Sequence, residues 1–156
     1  MMEMNQSNLV YRFLEHQEYI AETLHALSEE SFAFGSPWTI DQFEATFEES
    51  NLFYLLVEYE GELIGFLGGS KVHLEAEVYT IVIKTDFKRN GIATQLLQET
   101  KKRLREENVT ELSLEVRISN EPAILLYKKS GFVPVGVRSN YYSNPQEDAV
   151  VLKCEL

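Results

Sequence analysis

The stretch from residue 79 to residue 94 holds the residues whose order most clearly indicates chemistry. A β-branched run, Tyr79-Thr80-Ile81-Val82-Ile83, is followed by a short polar link and then by Lys88-Arg89-Asn90-Gly91-Ile92-Ala93-Thr94, where a helical pattern begins. The first N–H groups of a helix lack intrahelical partners and lie at the positive end of its dipole. Gly91 and Ala93 leave no side-chain bulk to keep an anion from this backbone. The stretch therefore predicts a site for a phosphorylated cofactor.

This loop differs from the common nucleotide-binding motifs. The sequence contains neither the Gly-x-x-x-x-Gly-Lys-Ser/Thr of a nucleoside triphosphate site nor the Gly-x-Gly-x-x-Gly of a dinucleotide site. A Gly-x-Ala at the start of a helix is also compatible with a tight strand-to-helix turn that binds nothing. The second half of the chain is needed to choose between these two interpretations.

Length, charge and cysteine content narrow the class of protein. With 156 residues, the chain is long enough for a buried core, and we expect residues 1–156 to form a single domain. The formal net charge of −11 argues against direct nucleic-acid binding, which depends on Lys and Arg, and is compatible with a basic peptide or amine substrate. No apolar run approaches the roughly 18 to 20 residues that span a bilayer, and the N-terminus lacks a secretory pattern. Together with the single Cys154, these features predict a cytoplasmic protein that is not bound to a membrane.

Apolar periodicity and turn residues predict seven strands and four helices. Thr39 and Gln42 have the spacing of a capping box, and Pro122 fits the first turn of a short helix that ends at Gly131. We expect strands at residues 8–14, 52–58, 62–70, 75–83, 111–116, 134–142 and 149–155, and the other helices at 18–30, 39 to about 50, and 91–107. The order β-α-α-β-β-β-α-β-α-β-β indicates an α/β (α+β) protein in which about four helices flank a mixed, mostly antiparallel central sheet.

The strand at residues 111–117 and the helix after it lead to a known family. Leu112, Leu114 and Val116 alternate with Ser113 and Glu115, so the two sets lie on opposite faces of the strand. This strand, the Ser119-Asn120-Glu121-Pro122 segment that follows it, and residues 88–93 match one known family. On these residues, the chain resembles the GNAT N-acetyltransferases across essentially its full length. The pyrophosphate loop of that family follows the pattern Gln/Arg-x-x-Gly-x-Gly/Ala, from which this chain departs only at Lys88. Because such a loop works largely through backbone N–H groups, Lys88 is compatible with it.

Within this superfamily, the chain is more closely similar to the bacterial ribosomal-protein-alanine N-acetyltransferases (RimI type). Four segments carry the similarity: Ser36-Pro37-Trp38; Leu114-Glu115-Val116-Arg117 with Ser119-Asn120; Leu126-Tyr127 with Gly131-Phe132; and Asn140-Tyr141-Tyr142 with Glu147-Asp148-Ala149. The resemblance implies the GNAT acyl-CoA acyltransferase fold, acetyl-CoA as co-substrate, and acetylation of a basic protein N-terminus, the N-terminal alanine of a small-subunit ribosomal protein. Two alternatives stay open: an acetyltransferase that modifies a small-molecule amine or a protein lysine, and an acyl-CoA-binding module without turnover.

The resemblance also assigns roles to individual residues. Glu115 would be the base that accepts a proton from the amine, and Tyr127 the general acid that protonates the leaving thiolate. The alternatives are an outward-facing Glu on a half-exposed strand and a core Tyr on a helix face. A backbone N–H near Val82 or Ile83 would polarise the thioester carbonyl. The expected acetyl-CoA site comprises Ile81, Val82, Ile83, Lys88, Arg89, Asn90, Gly91, Ile92, Ala93, Thr94 and Asn120.

Asn120, Trp38 and Tyr141 complete the predicted site, and the first two have two interpretations each. Asn120 would contact the pantetheine arm or would cap the helix that follows it. Trp38 and Tyr141 would line the groove for the acceptor, although Trp38 is equally compatible with a core position. The histidines at positions 16, 25 and 73 show no metal-ligand spacing with Cys154, so we expect no metal site. The sequence leaves the oligomeric state open.

Overall fold

The computed structural model describes residues 4–15, 20–33 and 35–156. Within these residues, the chain forms seven strands and four α-helices in the predicted order, with 3₁₀ turns at Gln6–Asn8 and Thr85–Phe87. The strands are β1 (Leu9–Phe13), β2 (Leu52–Tyr59), β3 (Glu62–Val72), β4 (Glu75–Ile83), β5 (Glu111–Arg117), β6 (Val133–Tyr142) and β7 (Glu147–Glu155). The helices are α1 (Ala21–Ser31), α2 (Ile40–Phe47), α3 (Ile92–Glu106) and α4 (Glu121–Lys129).

All seven strands belong to one sheet, in the order β1-β2-β3-β4-β5-β7-β6. Each neighbouring pair is antiparallel except β4 and β5, which are parallel. The larger core lies between one face of the sheet and α3, and it includes Leu96, Leu97 and Leu114. A second core lies between the other face and helices α1 and α2. The expectation of a mostly antiparallel mixed sheet flanked by four helices is confirmed.

The second core anchors the segment that precedes α2. Phe43 on α2 is 1% exposed and packs edge-to-face on Phe66 of β3, with the ring centroids 6.1 Å apart. Thr39 caps the helix as the sequence predicts: its hydroxyl accepts from the Gln42 N–H at 3.2 Å, and its own N–H donates to the Gln42 side chain at 2.8 Å. These contacts fix the position of Trp38, the residue immediately before the cap.

Helix α2 differs from its predicted boundary, and the predicted start of α1 falls outside the described residues. Helix α2 ends at Phe47, earlier than the expected residue 50, because the N–H of Glu48 already bonds back to Ala45 and Thr46 in a tightened last turn. The described part of α1 begins at Ala21. The start predicted at residue 18 lies outside the described residues.

Strands β4 and β5 separate halfway along their length. Their parallel pairing runs from Glu75 with Glu111 to Val78 with Leu114 and ends there, although β4 remains paired with β3 and β5 with β7. At the point of separation, Gly68 pairs with Thr80 and Gly69 with Val78, so Tyr79 is an extra residue on β4. Such a β-bulge bends a strand and increases its twist. The bulge therefore opens a gap between β4 and β5 at the edge of the sheet where α3 and α4 begin.

Candidate active site

The N-terminus of α3 presents unpaired backbone donors. Gly91 occupies the N-cap position in the left-handed region (φ +75°), and no side chain caps the helix. Its carbonyl accepts from the N–H of Gln95 at 3.0 Å, so the preceding N–H groups have no intrahelical partner. The first turn, which the structure describes in full, carries no acidic residue. A Cβ built on Gly91 would have no heavy atom within 4 Å, so the space in front of the loop is open.

Neighbouring residues shape this loop and add positive charge. The Asn90 side chain donates to the carbonyls of Phe87 and Lys88, both at 3.1 Å, and the buried Phe87 packs against Tyr59 at 5.3 Å between ring centroids. Lys88 and Arg89 are exposed beside the open space. Anchored backbone donors, a helix dipole and two cations fit the pyrophosphate of an acyl-CoA.

A groove of about 250 Å³ continues from this loop between α3 and α4. This groove was not predicted from the sequence, although Lys and Arg are concentrated in the later half of α3. Three of the side chains along the groove are cationic, and none is acidic; the lining residues are Thr94, Gln98, Lys101, Arg105, Lys129 and Ser130. The groove lining is therefore positively charged.

The gap between β4 and β5 exposes backbone groups of β4. The N–H of Lys84 donates to the carbonyl of Ile64 on β3 at 2.7 Å. Because backbone groups alternate in direction along a strand, the N–H of Val82 also faces β3, whereas those of Ile81 and Ile83 face the gap. The Val82 side chain is 1% exposed in the second core. Of the two N–H groups predicted to donate to a thioester carbonyl, that of Ile83 faces the gap and that of Val82 does not. The N–H of Ile81 also faces the gap.

Glu115 lies at the mouth of the gap, on the face of β5 opposite to α3. Its side chain is only 12% exposed, and its Oε1 lies 2.8 Å from the Nε of Arg138 on β6. The hydroxyl of Tyr141 donates a hydrogen bond to the same carboxylate, and this bond, followed by burial, raises the pKa of Tyr141 to about 12. Tyr141, predicted to line the acceptor groove, therefore contacts the predicted base.

An irregular segment of β6 brings these partners to Glu115. Arg138 pairs with Ala149 and Tyr142 with Glu147, so four steps along β6 match two along β7. Within the irregularity, Asn140 adopts a left-handed conformation (φ +53°), and its N–H donates to Oδ1 of Asp148 at 2.8 Å. The motif Asn140-Tyr141-Tyr142 with Glu147-Asp148-Ala149 thus sets the direction of the Tyr141 side chain.

Tyr127 lies on α4 and packs on the larger core. It is partly buried, and its ring lies edge-to-face against Phe132 at 5.9 Å between centroids. Burial, with a smaller contribution from Tyr142, raises the pKa of Tyr127 to about 12. The pKa of Tyr142 is raised by burial and then by the charge of Glu115. Tyr142 is therefore within electrostatic reach of both Glu115 and Tyr127.

The positions of Asn120 and Trp38 are compatible with the roles predicted for them. The Asn120 side chain accepts from the N–H of Ala123 at 3.3 Å, which is the N-cap contact, and its amide nitrogen is the group that could reach a pantetheine arm. Trp38 packs on the second core against Phe43, at 5.3 Å between ring centroids, and also contacts Tyr79 on β4 at 6.4 Å.

A polar cavity of about 240 Å³ lies on the same face of the sheet as Glu115. It is lined by Asn51, Ser70, Val72, Glu75, Ala76, Glu77, Tyr79 and Ser113, so two carboxylates and no cations border it. Burial, and then the charge of Glu115, raises the pKa of Glu77, whereas Arg138 lowers it. Glu77 and Arg138 were not predicted from the sequence, because only the folded sheet brings them close to Glu115.

The predicted residues fall into two connected regions. The loop at residues 88–94 and the open side of β4 form one region, and Glu115, Tyr141 and the acidic cavity form the other, to which Tyr127 is linked through Tyr142. In the part of the chain that the structure describes, no three His, Cys, Asp or Glu side chains are placed to hold a metal; His25 lies 3.7 Å from Glu29, and position 16 is outside that part. None of the described helices is long and apolar enough to cross a membrane.

Comparisons with known proteins agree with this geometry. The model of the Acetyltransferase (GNAT) family matches residues 20–132. A candidate ribosomal protein bS18-alanine N-acetyltransferase of Bacillus subtilis is 37% identical over 129 residues, which cover 82% of this chain and 85% of the relative. The ribosomal protein bS18-alanine N-acetyltransferase of Escherichia coli K12 is 33% identical over 125 residues, covering 79% and 84%.

Solved structures show the same fold. The crystal structure of the ribosomal-protein-S18-alanine N-acetyltransferase from Escherichia coli superimposes with a TM-score of 0.84 at 27% identity, covering 94% of this chain and 93% of that one. Ard1 from Thermoplasma volcanium superimposes with a TM-score of 0.84 at 25% identity, covering 96% and 98%. The predicted GNAT fold is confirmed.

Proposed function

This chain belongs to the acetyltransferase (GNAT) family and is an acetyl-CoA-dependent N-acetyltransferase, and we propose that its acceptor is the N-terminal alanine of a small-subunit ribosomal protein. The observation that supports this acceptor is the acidic cavity beside Glu115. Ribosomal proteins are basic, and two carboxylates without a bordering cation favour a positively charged peptide. The named activity of the Escherichia coli and Bacillus subtilis relatives supports the same acceptor.

We assign the binding of acetyl-CoA to the loop at residues 88–94, the basic groove and the gap. The N–H groups at the start of α3 would hold the pyrophosphate, with Lys88 and Arg89 beside them. The pantetheine arm would enter the gap between β4 and β5, where the N–H of Ile81 or Ile83 can donate to it or to the thioester carbonyl. The amide nitrogen of Asn120, at the start of α4, would add a contact on the other side.

The acceptor amine must lose a proton before or during attack. An α-amino group has a pKa of about 7.7 to 8.0, so roughly a tenth is neutral at pH 7, whereas less than about 0.1% of lysine is. An N-terminal amine therefore needs only modest help from a base. Glu115, a carboxylate at the mouth of the gap, would accept the proton directly or through water while the nitrogen forms its bond to the acetyl carbon and the carbon–sulfur bond breaks.

Tyr127 would act on the thiolate sulfur of CoA as it leaves. Because its pKa is raised to about 12, its phenol is fully protonated when the thiolate forms. The same raised pKa makes complete proton transfer to sulfur less favourable than the ordinary value near 10 would. We therefore assign Tyr127 to hydrogen-bond donation to the thiolate, with proton transfer completed as the product leaves.

The acceptor is tested with a peptide that begins Ala-Arg, incubated with acetyl-CoA and the protein. We expect mass spectrometry with fragmentation to locate one acetyl group on the α-amine. An N-terminally blocked copy of the peptide is the matched control for lysine modification, and a copy with Gln in place of its basic residues tests the acidic cavity. Faster turnover of spermidine or of the blocked, lysine-containing peptide would contradict the proposed acceptor and favour a small amine or a protein lysine.

A further inference from the structure

The ion pair between Arg138 and Glu115 joins an exposed cation to a buried anion. The Arg138 side chain is 58% exposed and that of Glu115 only 12%, and Nε lies 2.8 Å from Oε1. The guanidinium also lies over the Tyr141 ring, 5.7 Å from its centroid, and Tyr141 hydrogen-bonds to the same carboxylate. Two groups from β6 therefore fix the direction of one side chain on β5.

The positive charge of Arg138 also acts on a second carboxylate, Glu77. Glu77 on β4 lies close enough for its pKa to be raised by Glu115 and lowered by Arg138. Two neighbouring carboxylates in a partly buried place tend to share a proton, and a protonated carboxyl cannot act as a base. A permanent cation beside Glu115 opposes this tendency, because guanidinium stays charged throughout the physiological pH range.

We propose that Arg138 is the positioning residue of the acceptor site, which fixes the Glu115 carboxylate and balances the combined negative charge of Glu77 and Glu115. This inference rests on the proposed role of Glu115 as the base. Arg138 acts through Glu115 and need not touch the acceptor. The two-residue irregularity in β6 is what allows both Arg138 and Tyr141 to reach one carboxylate from the same strand.

Other charged and titratable groups lie around Glu77. Lys153 on β7 is paired with Glu111 at 3.2 Å, so its charge is already matched. The remaining groups that face Glu77 are Glu75 and Tyr79 on its own strand, Glu115 on β5, and Arg138 and Tyr141 on β6. Among these remaining groups, the cation is Arg138.

The test compares Arg138→Met, Arg138→Lys and the control Arg103→Met. Arg103 also pairs through Nε with a glutamate, Glu107 at 3.1 Å, and its side chain is 48% exposed, but it lies on α3 away from the site. We expect Arg138→Met to lower kcat for the Ala-Arg peptide about tenfold to a hundredfold while the Kd of acetyl-CoA changes less than about twofold. Arg138→Lys should recover most of the loss, because it restores the charge, and Arg103→Met should match the wild type.

A second measurement does not depend on turnover. Carboxyl ¹³C NMR, with Glu77 assigned by Glu77→Gln, follows the titration of Glu77. We expect its midpoint to move to higher pH in Arg138→Met and to stay in place in Arg103→Met. An unmoved Glu77 midpoint, or equal losses of kcat and acetyl-CoA affinity, would overturn the inference. If the wild type leaves the peptide unmodified but the midpoint moves, the proposed acceptor fails and the charge-balancing role of Arg138 stands.

Discussion

Val78 of β4 pairs with Leu114 of β5, and beyond this pair the two parallel strands separate. The separation has a different effect on each of the two strands. On β4, the N–H groups of Ile81 and Ile83 face the gap instead of a neighbouring strand. On β5, Glu115 follows Leu114 directly and lies at the mouth of the gap. The end of one short parallel ladder thus places backbone donors beside the predicted base.

Glu115→Gln tests the base and keeps the size of the side chain. We expect kcat to fall about a hundredfold or more, because the amide cannot accept the proton, while the Kd of acetyl-CoA stays within about twofold. Steady-state kinetics and calorimetry measure the two quantities. Glu111→Gln is the control, since Glu111 lies on the same face of β5 but pairs with Lys153 at 3.2 Å. Parallel losses of turnover and acetyl-CoA affinity, with folding intact, would give Glu115 a structural role.

Gly91→Val tests the pyrophosphate site. We expect the Kd of acetyl-CoA to rise about tenfold or more, because the added side chain would occupy open space in front of the α3 N–H groups. The substitution also strains a residue with φ of +75°, by about 1 to 2 kcal/mol. Gly61→Val controls for that strain, since Gly61 has φ of +84° and equally open surroundings in the β2–β3 turn. If both variants bind acetyl-CoA as the wild type does, the loop does not hold the phosphates.

The order of elements could be predicted from the sequence because each element has a strong local signal. Leu112, Leu114 and Val116 alternate with polar residues on β5, and Thr39 with Gln42 marks the start of α2. Capping and turn patterns depend on neighbours within four residues, so the local structure that they predict is also found in the folded protein.

The contacts that complete the site depend on long-range register and could not be predicted. Arg138 meets Glu115 only because β6 slips by two residues against β7, where Asn140 adopts a left-handed conformation. Glu77 meets Glu115 because β4 pairs in parallel with β5 across 30 or more intervening residues. The sequence identified Glu115 and Tyr141 separately, through the family resemblance, but not the hydrogen bond that joins them.

Tyr127→Phe tests the role of the phenol and has a defined pH dependence. Because burial raises the pKa of Tyr127 to about 12, the phenol stays protonated from about pH 6 to pH 9. We therefore expect kcat to fall about tenfold to a hundredfold by the same factor at every pH in this range. Kinetics on the wild type and the variant across the range measure the ratio. A ratio that changes with pH would show that Tyr127 titrates within the working range and would contradict the raised pKa.

Thr39→Ala tests the capping box that holds Trp38 beside Tyr79. Loss of the hydroxyl leaves the Gln42 N–H without its 3.2 Å acceptor, and we expect the free energy of unfolding to fall by about 1 kcal/mol in urea titrations. Thr39→Ser should retain most of the stability, because serine caps as well. Since both bonds of the box join the same two residues, Thr39→Ala and Gln42→Ala together should cost less than the sum of the single changes. Additive losses would mean that the two bonds act independently, and the box would then not be the unit that positions Trp38.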